Sequence, residues 1–183
     1  MTLPIITQRL ILRRFTPADA ESILAFLADP AAASAVPEIQ ATEAGVQRYI
    51  RQQNAYEPFE QDRCFDLAIE RLAGGQFLGL VTLVRREHRQ AEIGWALGAA
   101  CRGQGYATEA AGALVAYAFE VLNLHRIQAE TTLDNASSWR IMERLGMRRE
   151  GHLRQAEWQG GTWSDLVIYG LLASEWPGPG IAA

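Results

Sequence analysis

The sequence predicts a single mixed α/β domain with helices laid against a central sheet. Three observations predict it. Residues 64–70 and 90–97 alternate with the period of a strand. Residues 42–53 and 107–118 repeat with the period of a helix. A glycine loop at 103–105 then joins a strand to the longer of those helices. The length of 183 residues suits one domain, taken as residues 1–176, with 177–183 as a flexible tail marked by Pro177, Gly178, Pro179 and Gly180. With 49% hydrophobic residues the chain can form a real core and should bury roughly 70% of its unfolded surface.

Each element has a local reason. Leu10, Ile11 and Leu12 form a short apolar run flanked by arginines, which reads as a first strand. Thr16-Pro17-Ala18-Asp19 announces a helix, with Thr16 as cap, Pro17 in the first turn and Asp19 completing a capping box. Ile23, Phe26 and Leu27 give it an apolar stripe. Residues 31–40 read as a loop. Thr42 caps a second helix with Val46, Tyr49 and Ile50 on one face. Residues 64–70, 76–84 and 90–97 form three strands, with Gly74-Gly75 as a turn. In the third, Ala91, Ile93, Trp95 and Leu97 make an apolar row. The alternate positions, Glu92, Gly94 and Ala96, set a carboxylate beside two small residues and leave open space on that face. A long helix, a strand at 127–132 and a short helix capped by Asn135 follow, with Gly146 as its stop. Residues 147–159 and 162–172 close the chain as a hairpin around Gly160-Gly161. The count is seven strands and four helices.

Composition excludes several functions. A net charge of −4 argues against a general nucleic-acid binder, which needs a basic face. It suits a basic acceptor, and equally an ordinary solvated surface. Two distant cysteines, Cys64 and Cys101, and three isolated histidines give no disulfide framework and no metal motif. Cys101 reads as a small loop residue rather than a nucleophile. No signal peptide and no membrane span is expected, and a reduced, cytoplasmic setting fits.

The segment richest in chemistry is Arg102-Gly103-Gln104-Gly105-Tyr106-Ala107. Glycines admit close approach of a ligand to the backbone, and the first turn of a helix offers unpaired amides that favour phosphate. A plain turn between strand and helix has the same look. A dinucleotide fingerprint fails because Thr108 stands where a third small residue is needed, and the Gly-Lys-Ser/Thr of a P-loop is absent.

Arg102-x-x-Gly105-x-Ala107 resembles the pyrophosphate signature of the GNAT acetyltransferases. Three further blocks resemble their ribosomal-protein N-terminal branch, the RimJ/RimL type. They are Thr7 to Arg14, Asn135-Ala-Ser-Ser138 with Glu143-Arg144-Leu145-Gly146-Met147, and Asp165 to Trp176. The resemblance implies a mostly antiparallel sheet, splayed where acetyl-CoA binds, and direct transfer of an acetyl group to a primary amine without a metal. A protein N-terminal amine is the acceptor it implies first. A polyamine, an antibiotic or a metabolite is the alternative, and a non-catalytic acyl-CoA sensor is a third. A homodimer is implied too. Trp95, Ala96 and Leu97 are then expected to hold the pantetheine arm through their main chain. Arg102, Gly103, Gln104, Gly105, Tyr106 and Ala107 would cradle the diphosphate, and Asn135 would touch the arm or simply cap its helix. Glu92 is the expected general base, or else a strand glutamate paired with an arginine, and Glu150 is its rival. Ser138 is the expected general acid, or a helix-start serine, with Tyr169 and Tyr106 competing. Trp158 and Trp163 flank the hairpin turn, where they pack, line an acceptor mouth or meet a second copy.

Overall fold

A computed structural model describes residues 3–178, apart from the side chain of Gln159. Most of the expected tail, residues 179–183, lies outside the described residues. Eight strands form one sheet in the order β1-β2-β3-β4-β5-β6-β8-β7. They are β1 (Ile5–Ile6), β2 (Leu10–Arg13), β3 (Cys64–Arg71), β4 (Phe77–Arg86), β5 (Gln90–Leu97), β6 (Arg126–Thr132), β7 (Arg148–Gln159) and β8 (Thr162–Leu172). The strand missing from the sequence reading is β1. Its two residues are too few to show a period, and it exists only by pairing with β2.

The helices are α1 (Ala20–Leu27), α2 (Pro30–Ala35), α3 (Glu43–Ala55), α4 (Tyr106–Glu120) and α5 (Ala136–Arg144). A short 3-10 turn at Pro17–Asp19 leads into α1, and the capping box expected of Thr16 and Asp19 is present. The segment expected to be a loop at 31–40 instead begins inside α2. Asp29 caps this helix by accepting from the Ala31 amide, and Pro30 fills its first position. Ala-Ala-Ala-Ser-Ala carries no apolar stripe, so periodicity alone passes over it.

Helices cover both faces of the sheet. On one face α1 and α3 bury Phe15, Ile23, Phe26, Val46, Tyr49 and Ile50 against Ala68, Leu80 and Ala96. On the other, α4 and α5 bury Ala111, Leu114, Val115, Met142 and Leu145 against Leu67, Leu83, Ile93 and Ile127. The two rows of β5 therefore divide as the alternation requires, Ile93 and Leu97 to one core and Ala96 to the other. Asp66 of β3 is buried beneath α3. It accepts hydrogen bonds from Tyr49 Oη at 2.6 Å and Gln53 Nε2 at 2.9 Å, and also from Thr82. These bonds satisfy a group whose burial is otherwise costly.

One feature of the topology makes the site. Among the described residues, strands β5 and β6 are the only parallel neighbours, and they pair over just three residue pairs: Gln90↔Arg126, Ala91↔Ile127 and Glu92↔Gln128. Beyond Glu92, β5 stays with β4 as far as Leu97↔Gly79, and β6 stays with β8 as far as Thr132↔Leu166. The sheet thus splits like a V between Ile93–Leu97 and Ala129–Thr132. Gly79 is required on β4, because a Cβ there would lie 2.1 Å from the Ala96 carbonyl oxygen.

Candidate active site

The V opens into two adjoining cavities that share Trp95, Asn135 and Ser138, with Ala31 and Ala35 of α2 above them. The first is a groove of about 510 Å³ running from the open edge of β5 to the start of α4. It is lined by Trp95, Ala96, Leu97, Arg102, Gly103, Gly105, Tyr106, Ala107 and Asn135. Of the residues expected to hold a cofactor, only Gln104 is absent from this lining. Its side chain turns back to donate to the Ala100 carbonyl at 3.0 Å.

Gly105 caps α4 at φ 79°, a left-handed conformation that glycine takes without strain. The amides of Tyr106, Ala107 and Thr108 behind it have no intrahelical acceptor. Three arginines, Arg102, Arg140 and Arg144, line the groove, and no carboxylate does among the described residues. Unpaired amides, a helix N-terminus and this positive lining suit a polyanion. The Arg102 guanidinium is already engaged: Nε donates to the Leu97 carbonyl at 3.0 Å and Nη2 pairs with Asp29. Sequence reading missed Arg140 and Arg144, although their i,i+4 spacing places both on one face of α5.

Arg9 was also not singled out. Its Nε pairs with Glu109 at 2.6 Å, its Nη1 donates to the Gln104 carbonyl at 3.0 Å, and its guanidinium lies 4.6 Å from the Tyr106 ring centroid. Thr7 Oγ1 donates to the same Glu109 at 2.6 Å. Burial would raise the Glu109 pKa, but the bonds from Thr7 and Arg9 outweigh it and hold the carboxyl below its ordinary range. This cluster ties the start of β2 to the first turn of α4 and so fixes the loop.

The second cavity is a cleft of about 680 Å³ on the other side of Ser138. Glu130, Asp134 and Glu157 line it, and among the described residues no lysine, arginine or histidine does. Gly94 lines it too, where the sequence predicted open space; a Cβ there would meet only Thr82, at 3.8 Å. Glu130 keeps an exposed surface in the open cleft, where partial desolvation, and then repulsion from Glu92 and Glu157, push its carboxyl above the ordinary range. The expected base, Glu92, does not line the cleft. It stands at the last paired position before the strands part, its carboxylate 3.1 Å from Arg86 Nη2 and 3.4 Å from Gln128 Nε2. Glu150 is drawn away by Arg126, whose hydrogen bonds hold its pKa down.

Ser138 lines both cavities where they meet. Its amide donates to Asn135 Oδ1 at 3.2 Å, so Asn135 is the cap of α5 as well as a wall residue. Tyr169 lies buried, donating to Glu143 at 3.3 Å, and lines neither cavity, whereas Tyr106 lines the groove. Cys101 is buried, as expected of a structural residue. Trp158 and Trp163 pack edge to face at 5.1 Å, each more than half exposed. No helix among the described residues is long and apolar enough to cross a membrane.

Residues 9–148, which hold the split strands and the glycine-capped helix, match the acetyltransferase (GNAT) domain. The chain belongs to the GNAT family. It is an N-acetyltransferase, and acetyl-CoA is the acyl donor that GNAT enzymes use. Among relatives, it is 32% identical to the uncharacterized N-acetyltransferase YnaD of Bacillus subtilis, over 94% of this chain and 98% of that one. Two partial matches diverge in the acceptor they name. The [ribosomal protein uS5]-alanine N-acetyltransferase of Escherichia coli is 30% identical over 51% of this chain and 48% of its own. The spermidine N(1)-acetyltransferase of Vibrio cholerae is 29% identical over 54% and 58%. Among solved structures, a GNAT-family acetyltransferase from Bacillus anthracis superposes with a TM-score of 0.82 at 28% identity, covering 94% of this chain and all of that one. The resemblance to the ribosomal-protein branch agrees with these relatives, and the fold class is the expected one, with one strand more in this chain's sheet than the sequence suggested.

Proposed function

We propose that this acetyltransferase acts on a primary amine carried by a positively charged acceptor, first the N-terminal amine of a protein or peptide with basic residues near its start. The observation that carries this reading is the acidic cleft, which joins the basic groove where β5 and β6 part. Glu130, Asp134 and Glu157 exceed the one carboxylate that proton transfer needs, so further positive charge on the acceptor is favoured there. The open cleft also has room for more than a bare amine.

The groove fits acetyl-CoA by its donor set. The amides of the first turn of α4 and the loop at Gly103 and Gly105 would grip the diphosphate, and Arg140 and Arg144 would add charge. Trp95, Ala96 and Leu97 would present main-chain groups from the open edge of β5 to the pantetheine arm, with Asn135 facing them. The bound donor supplies a thioester activated toward amines. Fixed amides and a held acceptor lower the barrier by preorganisation. Glu130 would take the proton of the incoming ammonium, because a carboxyl with a raised pKa is the better base near neutrality. Glu92 stands behind it and tunes it by charge. The Ser138 hydroxyl would donate to the departing sulfur at the junction of the cavities.

A second reading, a small polyamine, is favoured by the same acidic lining and by the spermidine-acetylating relative. Incubation with acetyl-CoA and a panel of amines, following free thiol, separates the readings. Turnover on basic peptides starting with alanine or serine but not on spermidine supports the first, and the reverse supports the second. Tight acetyl-CoA binding with no thiol release on any amine would make the chain a sensor and defeat both.

A further inference from the structure

We propose that Asp29 is a positioning residue, which holds α2 as the common roof of the groove and the cleft by gripping α2 with one carboxylate oxygen and Arg102 with the other. Oδ1 accepts from the Ala31 amide at 3.1 Å and caps the helix. Oδ2 takes a hydrogen bond from Arg102 Nη2. Arg102 in turn donates through Nε to the Leu97 carbonyl, at the end of β5. One carboxylate therefore ties together the start of α2, the loop that precedes α4, and the end of the strand that borders the groove.

Those ties matter because α2 has little else to hold it. It is six residues long and only Ala32 among them is buried. A helix this short is not stable by propensity, so its end contacts and its seat on the protein decide where it sits. Its residues nevertheless wall both cavities: Pro30 and Ser34 the cleft, Ala32 the groove, Ala31 and Ala35 both. Asp29 lines neither cavity, so it acts on the substrates only through α2 and Arg102. The pairing also makes Arg102 a brace for the roof, while Arg140 and Arg144 remain to meet phosphate.

The inference rests on the two-cavity reading of acetyl transfer, and its tests separate the two. Asn caps a helix about as well as Asp, so Asp29→Asn keeps the cap and removes the charge pair. In the full chain, with acetyl-CoA, a basic alanine-initiated peptide and spermidine, we expect KM for the acceptor that turns over to rise about five-fold. Because α2 walls the groove as well, acetyl-CoA affinity should fall by a similar factor, while kcat at saturation stays within about two-fold. Arg102→Gln should raise the acceptor KM similarly, and the double variant should lose no more than the worse single one. Additive losses, or an unchanged acceptor KM in Asp29→Asn, would overturn the proposal. Hydrogen exchange gives a readout independent of activity: the amides of α2 should exchange faster in Asp29→Asn, and unchanged protection there would also overturn it. Absence of turnover in the unaltered chain would instead sink the functional reading, with the exchange result still deciding the role of Asp29.

Discussion

Gly105→Val tests the site at its narrowest point. Gly105 sits at φ 79°, where an L-residue costs about 1–2 kcal/mol and a branched one the upper end of that range. A Cβ added there lies 3.4 Å from Arg9 Nη2, so the two methyl groups of valine press on the arginine that braces Gln104 and Glu109. At roughly 2–4 °C per kcal/mol for a domain this size, strain of about 2 kcal/mol lowers the melting temperature by about 4–8 °C. The larger effect is on acetyl-CoA. Valine would stand over the amides of the first turn, and losing even one bond to a charged phosphate, about 1.5–3 kcal/mol, weakens binding by at least about ten-fold. Gly74→Ala is the control. Its φ is 90°, a Cβ there meets nothing within 4 Å and it lines neither cavity, so it carries strain away from the groove. Calorimetric titration with acetyl-CoA and thermal melts of both variants make the comparison. Unchanged affinity in Gly105→Val, or an equal loss in Gly74→Ala, would refute the placement of the diphosphate at this turn.

Glu130→Gln should lower kcat by about 100-fold with acetyl-CoA affinity intact, and Glu92→Gln by less than about ten-fold. The opposite ranking in pH–rate profiles would return the base to Glu92. Ser138→Ala keeps the α5 cap, because Asn135 accepts from the backbone amide, so kcat should fall about ten-fold at constant melting temperature. An unaltered kcat would remove the hydroxyl from the reaction. Asp19 is buried, which alone would raise its pKa, but its bonds from Arg13 at 2.7 and 2.8 Å and from the Thr16 amide leave it below the ordinary range. A depressed carboxylate stabilises above its unfolded pKa of about 3.9, and that stability is lost as pH falls through the folded value. Asp19→Asn should therefore cost about 1–3 kcal/mol by urea melts at pH 7 and progressively less as pH falls below about 3.9, and a cost that does not change with pH would contradict this.

Where periodicity was strong, the sequence was legible. The alternation of residues 90–97 placed Ile93 and Ala96 on opposite cores, and the glycine at 94 marked open space that became a cleft wall. The glycine loop was legible because a left-handed cap before a helix leaves few alternatives. Two kinds of information were hidden. Alanine-rich α2 has no stripe, and its signal lay in Asp29-Pro30, a cap and a first-turn proline. Which carboxylate reaches the cleft was hidden because strand alternation gives a face and no depth. Glu92 and Glu130 belong to the same face of paired strands, yet only Glu130 lies beyond the point where β5 and β6 separate. That point is a tertiary property, set by where β6 leaves β5 to follow β8.

The distribution of charge says more than its sum. A net charge of −4 is compatible with almost any soluble surface. In the folded chain the charges sort by cavity, three arginines along the groove and three carboxylates along the cleft, with Trp95, Asn135 and Ser138 between them. Arg102 is paired with Asp29, but Arg140 and Arg144 in the groove and the three carboxylates of the cleft crowd like charges together, which an arriving opposite charge would relieve. A polyanionic donor and a cationic acceptor would each relieve one of them. Their reactive ends would meet at the neutral junction, where the amine must lose its charge to attack. Partial desolvation at the cleft wall, and then repulsion from Glu92 and Glu157, raise the Glu130 pKa, so the cleft that attracts a cation also holds a carboxylate ready to take a proton.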